Sequence, residues 1–368
     1  MTIYYVLFAS AFALSVLQYS NVHMRIPDLF KIGRTKIINH SAIYLFLIFL
    51  FIAAIVGLRA PSVGIDTKGY IKDFYTINNL GISQREIKTE IVNASIMWLC
   101  GRISNDPQFY MVIYAIIVSA LFSRFIKNNS ENPFLSTVIF IGMFFAPEMN
   151  LMRQWLAISI GVTAYDYYQK EENKKAIIAL LIAGLCHTTA LVLFVIPLVE
   201  KVKKKKNIVL PVVILSLIMV VFRVQLFSLA AFFIPKYNDY FTKYYFMNEG
   251  AFNIKNLIFA IILLGVAYVL AFKRELIKTE EQLNSLYVYE ILMILALAFS
   301  LCGTTYYMFH RVVYYFSVFL VIIIPSITTN LKFKKIINLL VTVAMLIMLM
   351  RNGVSDNNGI SEYMWFWQ

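Results

Sequence analysis

The sequence predicts an all-α, polytopic integral membrane protein, and three observations carry that prediction. Apolar runs of roughly membrane-crossing length recur along the whole chain. Of its 368 residues 60% are hydrophobic and only 14% charged, with a mean hydropathy of +0.72. The 33 lysines and arginines, which leave a net charge of +13, gather in short loops between the runs, where such residues set orientation in a bilayer. That clustering argues against nucleic acid as the partner of the basic charge. Cys100, Cys186 and Cys302 lie in or beside apolar runs, without the spacing of a disulfide framework or a zinc site.

The runs place about ten spans, at 2–18, 41–58, 108–124, 134–147, 151–168, 208–222, 254–272, 286–302, 312–328 and 336–350. The first has no basic segment before it and no small-residue cleavage site, so it reads as a retained span. The loop carrying Arg25, Lys31, Arg34 and Lys36 has only Asp28 against it, which assigns it to the cytoplasm and the N-terminus to the outside. Residues 59–107 then fall outside, Arg124 and Lys127 inside, 147–151 outside and Lys170–Lys175 inside. The run 176–199 has basic flanks on both sides. If it crosses, Lys201–Lys206, the Lys273-Arg274-Lys278 loop and Lys332-Lys334-Lys335 all land outside, against the positive-inside tendency. If it dips in and returns, all three land inside. The charges favour this re-entrant reading, with the turn near Gly184-Leu185-Cys186-His187-Thr188-Thr189 and both termini external.

The chain reads as one transmembrane domain, 1–368, with external loops 59–107 and 223–253 and no internal repeat. The first loop has mixed charge, Arg85-Glu86-Ile87-Lys88-Thr89-Glu90, followed by the apolar 91–100; it reads as a partly helical cap on the membrane face. The second is aromatic-rich, with Phe232-Phe233, Tyr237, Tyr240-Phe241 and Tyr244-Tyr245-Phe246. Interfacial belts produce such enrichment more often than sugar-stacking sites do.

Few polar residues lie at membrane depth or at the outer rim. Arg59 ends the second span; a guanidinium there grips a phosphate bidentately or snorkels as an anchor. Arg153, with Gln154, follows Pro147-Glu148 at the outer start of a span, as an anion ligand or as the ion-pair partner of Glu148. Arg311, after His310, opens a run with Tyr306, Tyr307, Tyr314 and Tyr315. Candidate bases are fewer. His187 sits in an apolar run, either as a proton acceptor or as a buried histidine bonded to a neighbouring helix. Asp66 lies outside near Arg59, with Tyr70 four residues on; it is a second candidate base, or it holds Arg59 or caps a helix starting near Thr67. Glu148 is a third, weaker choice. There is no DxD pair, Gly-rich phosphate loop, HExxH or GxSxG, so metal-dependent chemistry on a soluble donor is not expected, nor is a cofactor.

In order along nearly the whole chain, Gly57-Leu58-Arg59, Val63-Gly64-Ile65-Asp66 with Tyr70, Arg153-Gln154 with Ala157, His187 followed by Thr188, Thr189, Ala190 and Leu191, and Arg311 with Tyr314 and Tyr315 resemble the EpsG family of Wzy-like polysaccharide polymerases. Ile65 stands where threonine is commoner in the family, and the tail Tyr363-Met364-Trp365-Phe366-Trp367 lacks the expected Pro-Tyr. The resemblance implies a glycosyltransferase at the outer face of the bacterial cytoplasmic (inner) membrane that acts on undecaprenyl-diphosphate-linked oligosaccharides. It also implies a chain-length regulator protein as a partner. Arg59, Arg153 and Arg311 would hold the diphosphate, with Tyr70, Gln154 and Tyr314 lining the site and His187 or Asp66 as base. The rivals are a flippase for the same lipid-linked sugar, a ligase that differs only in its acceptor, and an O-acyltransferase, for which His23 has no suitable company.

Overall fold

The computed structural model describes residues 2–19, 24–27, 35–38, 40–81, 89–202, 208–233, 254–276, 280–306, 308–329, 331–355 and 358–368. Almost all are helical, as the all-α class requires, and one short ribbon stands beside the helices. Met24–Pro27 and Thr35–Ile38 pair as an antiparallel ribbon with Met24 opposite Ile38, in the loop expected to be cytoplasmic. Arg85–Lys88, Lys203–Lys206, Lys278, Tyr307 and the aromatics from Tyr237 to Phe246 lie outside the described residues.

The expected count of ten spans is not confirmed. Among the described residues five helices are long and apolar enough to cross a bilayer: His40–Gly57, Pro107–Asn129, Lys255–Arg274, Leu283–Cys302 and Lys334–Val354. Two broken pairs, Val209–Val221 with Arg223–Leu229 and Met308–Ser317 with Leu320–Thr328, raise the number to seven if each is one span. The shortfall has visible causes. The 14 residues of Thr2–Ser15 rise about 21 Å, short of a ~30 Å hydrocarbon core. The run at 134–147 breaks at Phe144 into Pro133–Met143 and Phe145–Asn150. Met152–Gln169 is long enough, but it carries Arg153, Gln154, Ser159, Thr163 and Asp166.

Several boundaries were written locally. Asp106 accepts from Gln108 N at 2.8 Å and Asn132 from Leu135 N at 3.2 Å, and each caps a helix whose first residue is proline.

The chain forms two compact units, 1–191 with 320–368, and 192–319. In the first, helices His40–Gly57 and Pro107–Asn129 approach so closely that a Cβ on Gly57 would lie 3.0 Å from Val112 Cα. Phe122, Phe140, Phe144 and Trp155 form an aromatic core with centroids 4.8–6.4 Å apart. The direction of each helix follows from its contacts. Gln108 Nε2 bonds Gly57 O at one end, while Asp166 takes hydrogen bonds from Asn128 (2.8 Å) and Asn129 at the other. Arg124, Lys127 and 170–175 therefore gather at the end opposite the 58–66 junction. From there Asn173–Cys186 runs back, so His187 arrives at the junction end. The helix ends at Cys186 with His187 extended, and Leu191 packs against Gly184, where a Cβ would meet Leu191 Cδ2 at 2.6 Å.

In the second unit Arg274 pairs with Glu290 at 2.7 Å. Asn256 Nδ2 donates to Gly303 O at 2.8 Å, and Arg223 Nε donates to Thr305 Oγ1 at 2.9 Å. Val209–Val221 and Arg223–Leu229 meet at 81°.

Candidate functional site

Helix His40–Gly57 ends as the chain leaves its apolar run, and the residues that follow are held from two sides. The C-terminal tail runs along them: Phe366 N donates to Leu58 O at 2.9 Å, Ala60 N to Met364 O at 2.8 Å and Gly64 N to Gly359 O at 2.7 Å. Gly64 has φ 92°, and a Cβ there would lie 2.6 Å from Thr67 Oγ1 and 3.1 Å from Met149 O. Only glycine fits such a turn without strain. On the other side, Asn150 Oδ1 accepts from Asp66 N at 2.9 Å.

Arg59 is fully buried at the centre of this junction. Its Nε donates to Val63 O at 3.3 Å and its Nη1 to Val56 O, while Nη2 reaches Met149 O at 2.8 Å and Thr67 Oγ1 at 3.5 Å. Most of the guanidinium's five N–H donors are thus taken up by the fold. Arg59 clamps the junction to helix Phe145–Asn150 and shows no surface to solvent. Glu148, on that short helix, is also fully buried, and neither carboxylate oxygen has a hydrogen-bond partner among the described residues. Asp66 precedes helix Thr67–Leu80, which begins where expected, but its side chain makes no capping bond.

The accessible polar cluster lies at the same end. Arg153, in the first turn of Met152–Gln169, pairs with Glu90 rather than with Glu148: Nη1 lies 2.8 Å from Glu90 Oε2 and 3.2 Å from Thr89 Oγ1. Its guanidinium stands 5.6 Å from the centre of the Tyr70 ring. The other Glu90 oxygen lies 2.9 Å from His187 Nδ1. Thr89 Oγ1 in turn donates to Asp73 Oδ2 at 2.8 Å. The side chains of Arg153, Glu90 and His187 remain 26%, 15% and 23% exposed, so the cluster is open on one side. Burial pushes the Glu90 carboxyl up. The hydrogen bond from His187 and the charge of Arg153 outweigh it and hold the carboxyl down to about 2.

The structure therefore brings Arg153, His187 and Tyr70 together and places Arg59 in the adjoining core. Gln154 is buried one residue from Arg153. Arg311 and Tyr314 lie on Met308–Ser317 in the second unit, where Tyr314 Oη is 3.1 Å from His310 Nε2. Sequence reasoning missed Glu90 and Asp73. The available signal was position: Glu90 is the last charged residue before the apolar 91–100, and it occupies the N-cap of Ile91–Gly101.

Apolar helices, several of them broken, with an ion-paired and half-open polar cluster at one end, define a multi-pass membrane protein with a candidate site at the junction end of its first unit. The chain belongs to the EpsG family, the Wzy-like polysaccharide polymerases, whose profile matches residues 42–365. That match includes every candidate site residue. No curated protein and no solved structure matches the chain.

Proposed function

We propose that this protein is a glycosyltransferase that polymerises undecaprenyl-diphosphate-linked oligosaccharide repeat units at the outer face of the bacterial inner membrane. The growing glycan is released from its lipid diphosphate and joined to a hydroxyl of the next lipid-linked unit. A chain-length regulator is its expected protein partner. The observation that carries this reading, given the family, is the Arg153, Glu90 and His187 cluster, which puts a cation and a candidate base side by side at the junction end.

His187 takes the proton of the acceptor hydroxyl as its oxygen attacks the anomeric carbon. The bond from that carbon to the diphosphate oxygen breaks, and its electron pair leaves with the diphosphate, whose charge Arg153 meets. A leaving group of this kind needs positioned cations more than it needs a metal. Arg59 and Gly64 keep the junction in shape, and Tyr70 supports the Arg153 guanidinium. Asp66 is the second candidate base, and Arg311 with Tyr314 are further candidate ligands of the diphosphate or glycan.

The test is complementation of a strain lacking the chain, with protein level checked for each variant. His187→Ala and Arg153→Ala are expected to abolish long glycan while single-repeat material persists. Normal glycan length from both variants would remove this assignment, and loss of all surface glycan in the deletion strain would favour a flippase or ligase.

A further inference from the structure

Two helices meet at the candidate site, and their ends are cross-linked more firmly than a rim contact requires. Fully buried Asn93 reaches from the first turn of Ile91–Gly101 to Cys186 O at 2.6 Å, immediately before His187. Ala94 N donates to Glu90 O at 3.0 Å, and Ala190 N donates to His187 O at 2.8 Å. Main chain on both sides of the Glu90–His187 contact is thereby fixed, and the carboxylate presents one oxygen to the imidazole Nδ1 and the other to Arg153.

We infer that Glu90 is a positioning residue: it accepts the Nδ1 proton of His187 as a hydrogen bond, which leaves Nε2 with the lone pair that takes the acceptor hydroxyl proton. This deepens the polymerase reading and rests on it. A neutral imidazole carries one proton on either nitrogen, and the partner of one nitrogen decides the state of the other. An anion at Nδ1 also stabilises the imidazolium formed as the hydroxyl proton arrives. The same carboxylate fixes Arg153, so base and cation are held in one register as the glycosidic bond forms and the bond to the diphosphate breaks. The proton on Nε2 then passes to the released diphosphate or to water.

The test uses full-length protein and single-repeat lipid extracted from a strain lacking the chain, with extension measured against lipid concentration. Glu90→Gln is expected to lower kcat about 100-fold or more, with KM changed less than about threefold. Glu90→Asp, which keeps the charge, recovers part of the loss. The Glu90→Gln/His187→Ala double variant is no slower than His187→Ala alone, because the two residues act as one unit. In protein labelled with ¹⁵N-histidine, the His187 Nδ1–H signal, assigned by its absence from His187→Ala, is present in the wild type and lost or weakened in Glu90→Gln. A loss confined to KM, an additive double variant or an unchanged Nδ1–H signal overturns the inference. If His187→Ala is inactive while Glu90→Gln is fully active, this inference alone fails. Full activity in His187→Ala instead removes His187 as the base, and this inference with it, while the polymerase reading passes to Asp66; absence of extension and of diphosphate release in the wild type removes that reading itself.

Discussion

At Glu90 burial and ionisation oppose one another, and the partners decide the outcome. A carboxyl that ordinarily titrates near 4.5 is held down to about 2, with burial opposing the His187 and Arg153 contacts. The sign follows from linkage: the folded state prefers the ionised form, so the stabilisation is full above the unfolded value and is lost as pH falls toward the folded one. The difference in melting temperature between wild type and Glu90→Gln in detergent should therefore be flat from pH 8 to about 5.5 and shrink as pH falls from there toward 2. Gly64 and Gly69 make a second residue-level comparison. Gly64→Ala should destabilise by roughly 1–3 kcal/mol, because φ is positive and the added Cβ meets Thr67 and Met149. Gly69, inside helix Thr67–Leu80, has no atom within 4 Å of an added Cβ, so Gly69→Ala should be neutral or gain roughly 0.5–1 kcal/mol. Arg153, His187 and Tyr70 stood out in the sequence because polar groups at a membrane edge are rare. Glu90 did not, because in one dimension it is one of four charges in a six-residue mixed stretch and only the fold brings it to His187, 97 residues away.

Elements were legible where their ends are encoded locally. Pro107 and Pro133, with Asp106 and Asn132 before them, mark two helix starts that the hydropathy runs also indicate. The break at Phe144 is marked by Pro147, which has no N–H to give Met143 O. The break at Leu151 carries no such mark, and there the path is set by what it reaches, Met149 O and Asn150 Oδ1 held to Arg59 and Asp66. The break at His187 was anticipated from Gly184 and the hydroxyl residues, although the contact that uses it was not. Two predictions belong to this scale. A Cβ on Gly142 would come within 2.7–2.9 Å of Met345, backbone included, so Gly142→Ala should cost roughly 1–3 kcal/mol in thermal unfolding. Deleting 358–368 removes the main-chain bonds to Leu58, Ala60 and Gly64, and should open 58–66 to limited proteolysis and abolish long glycan. An uncleaved junction would show that the tail is not what holds it.

On the scale of the whole molecule, composition and charge made the membrane class plain, while the ten runs they mark do not all form helices of crossing length among the described residues. Hydropathy reports that a run is apolar, whereas helix length and continuity depend on neighbours. Hence five to seven helices qualify, and the shorter apolar ones fill in around them. The two ends of the first unit separate the basic 124–127 and 170–175 segments from the junction, which yields an orientation test. The three native cysteines are buried, so engineered thiols can be read against a quiet background. In intact cells a membrane-impermeant thiol reagent should label Ser62→Cys and not Glu171→Cys; the reverse pattern would invert the assigned faces. The central claim is polymerisation, and the most direct measurement supplies purified protein in lipid vesicles with single-repeat undecaprenyl-diphosphate glycan as the only substrate. Both products are then followed. The account predicts a ladder of two or more repeats, with one undecaprenyl diphosphate released per addition and both absent for His187→Ala. Transfer of the intact lipid across the bilayer with neither extension nor release would contradict it.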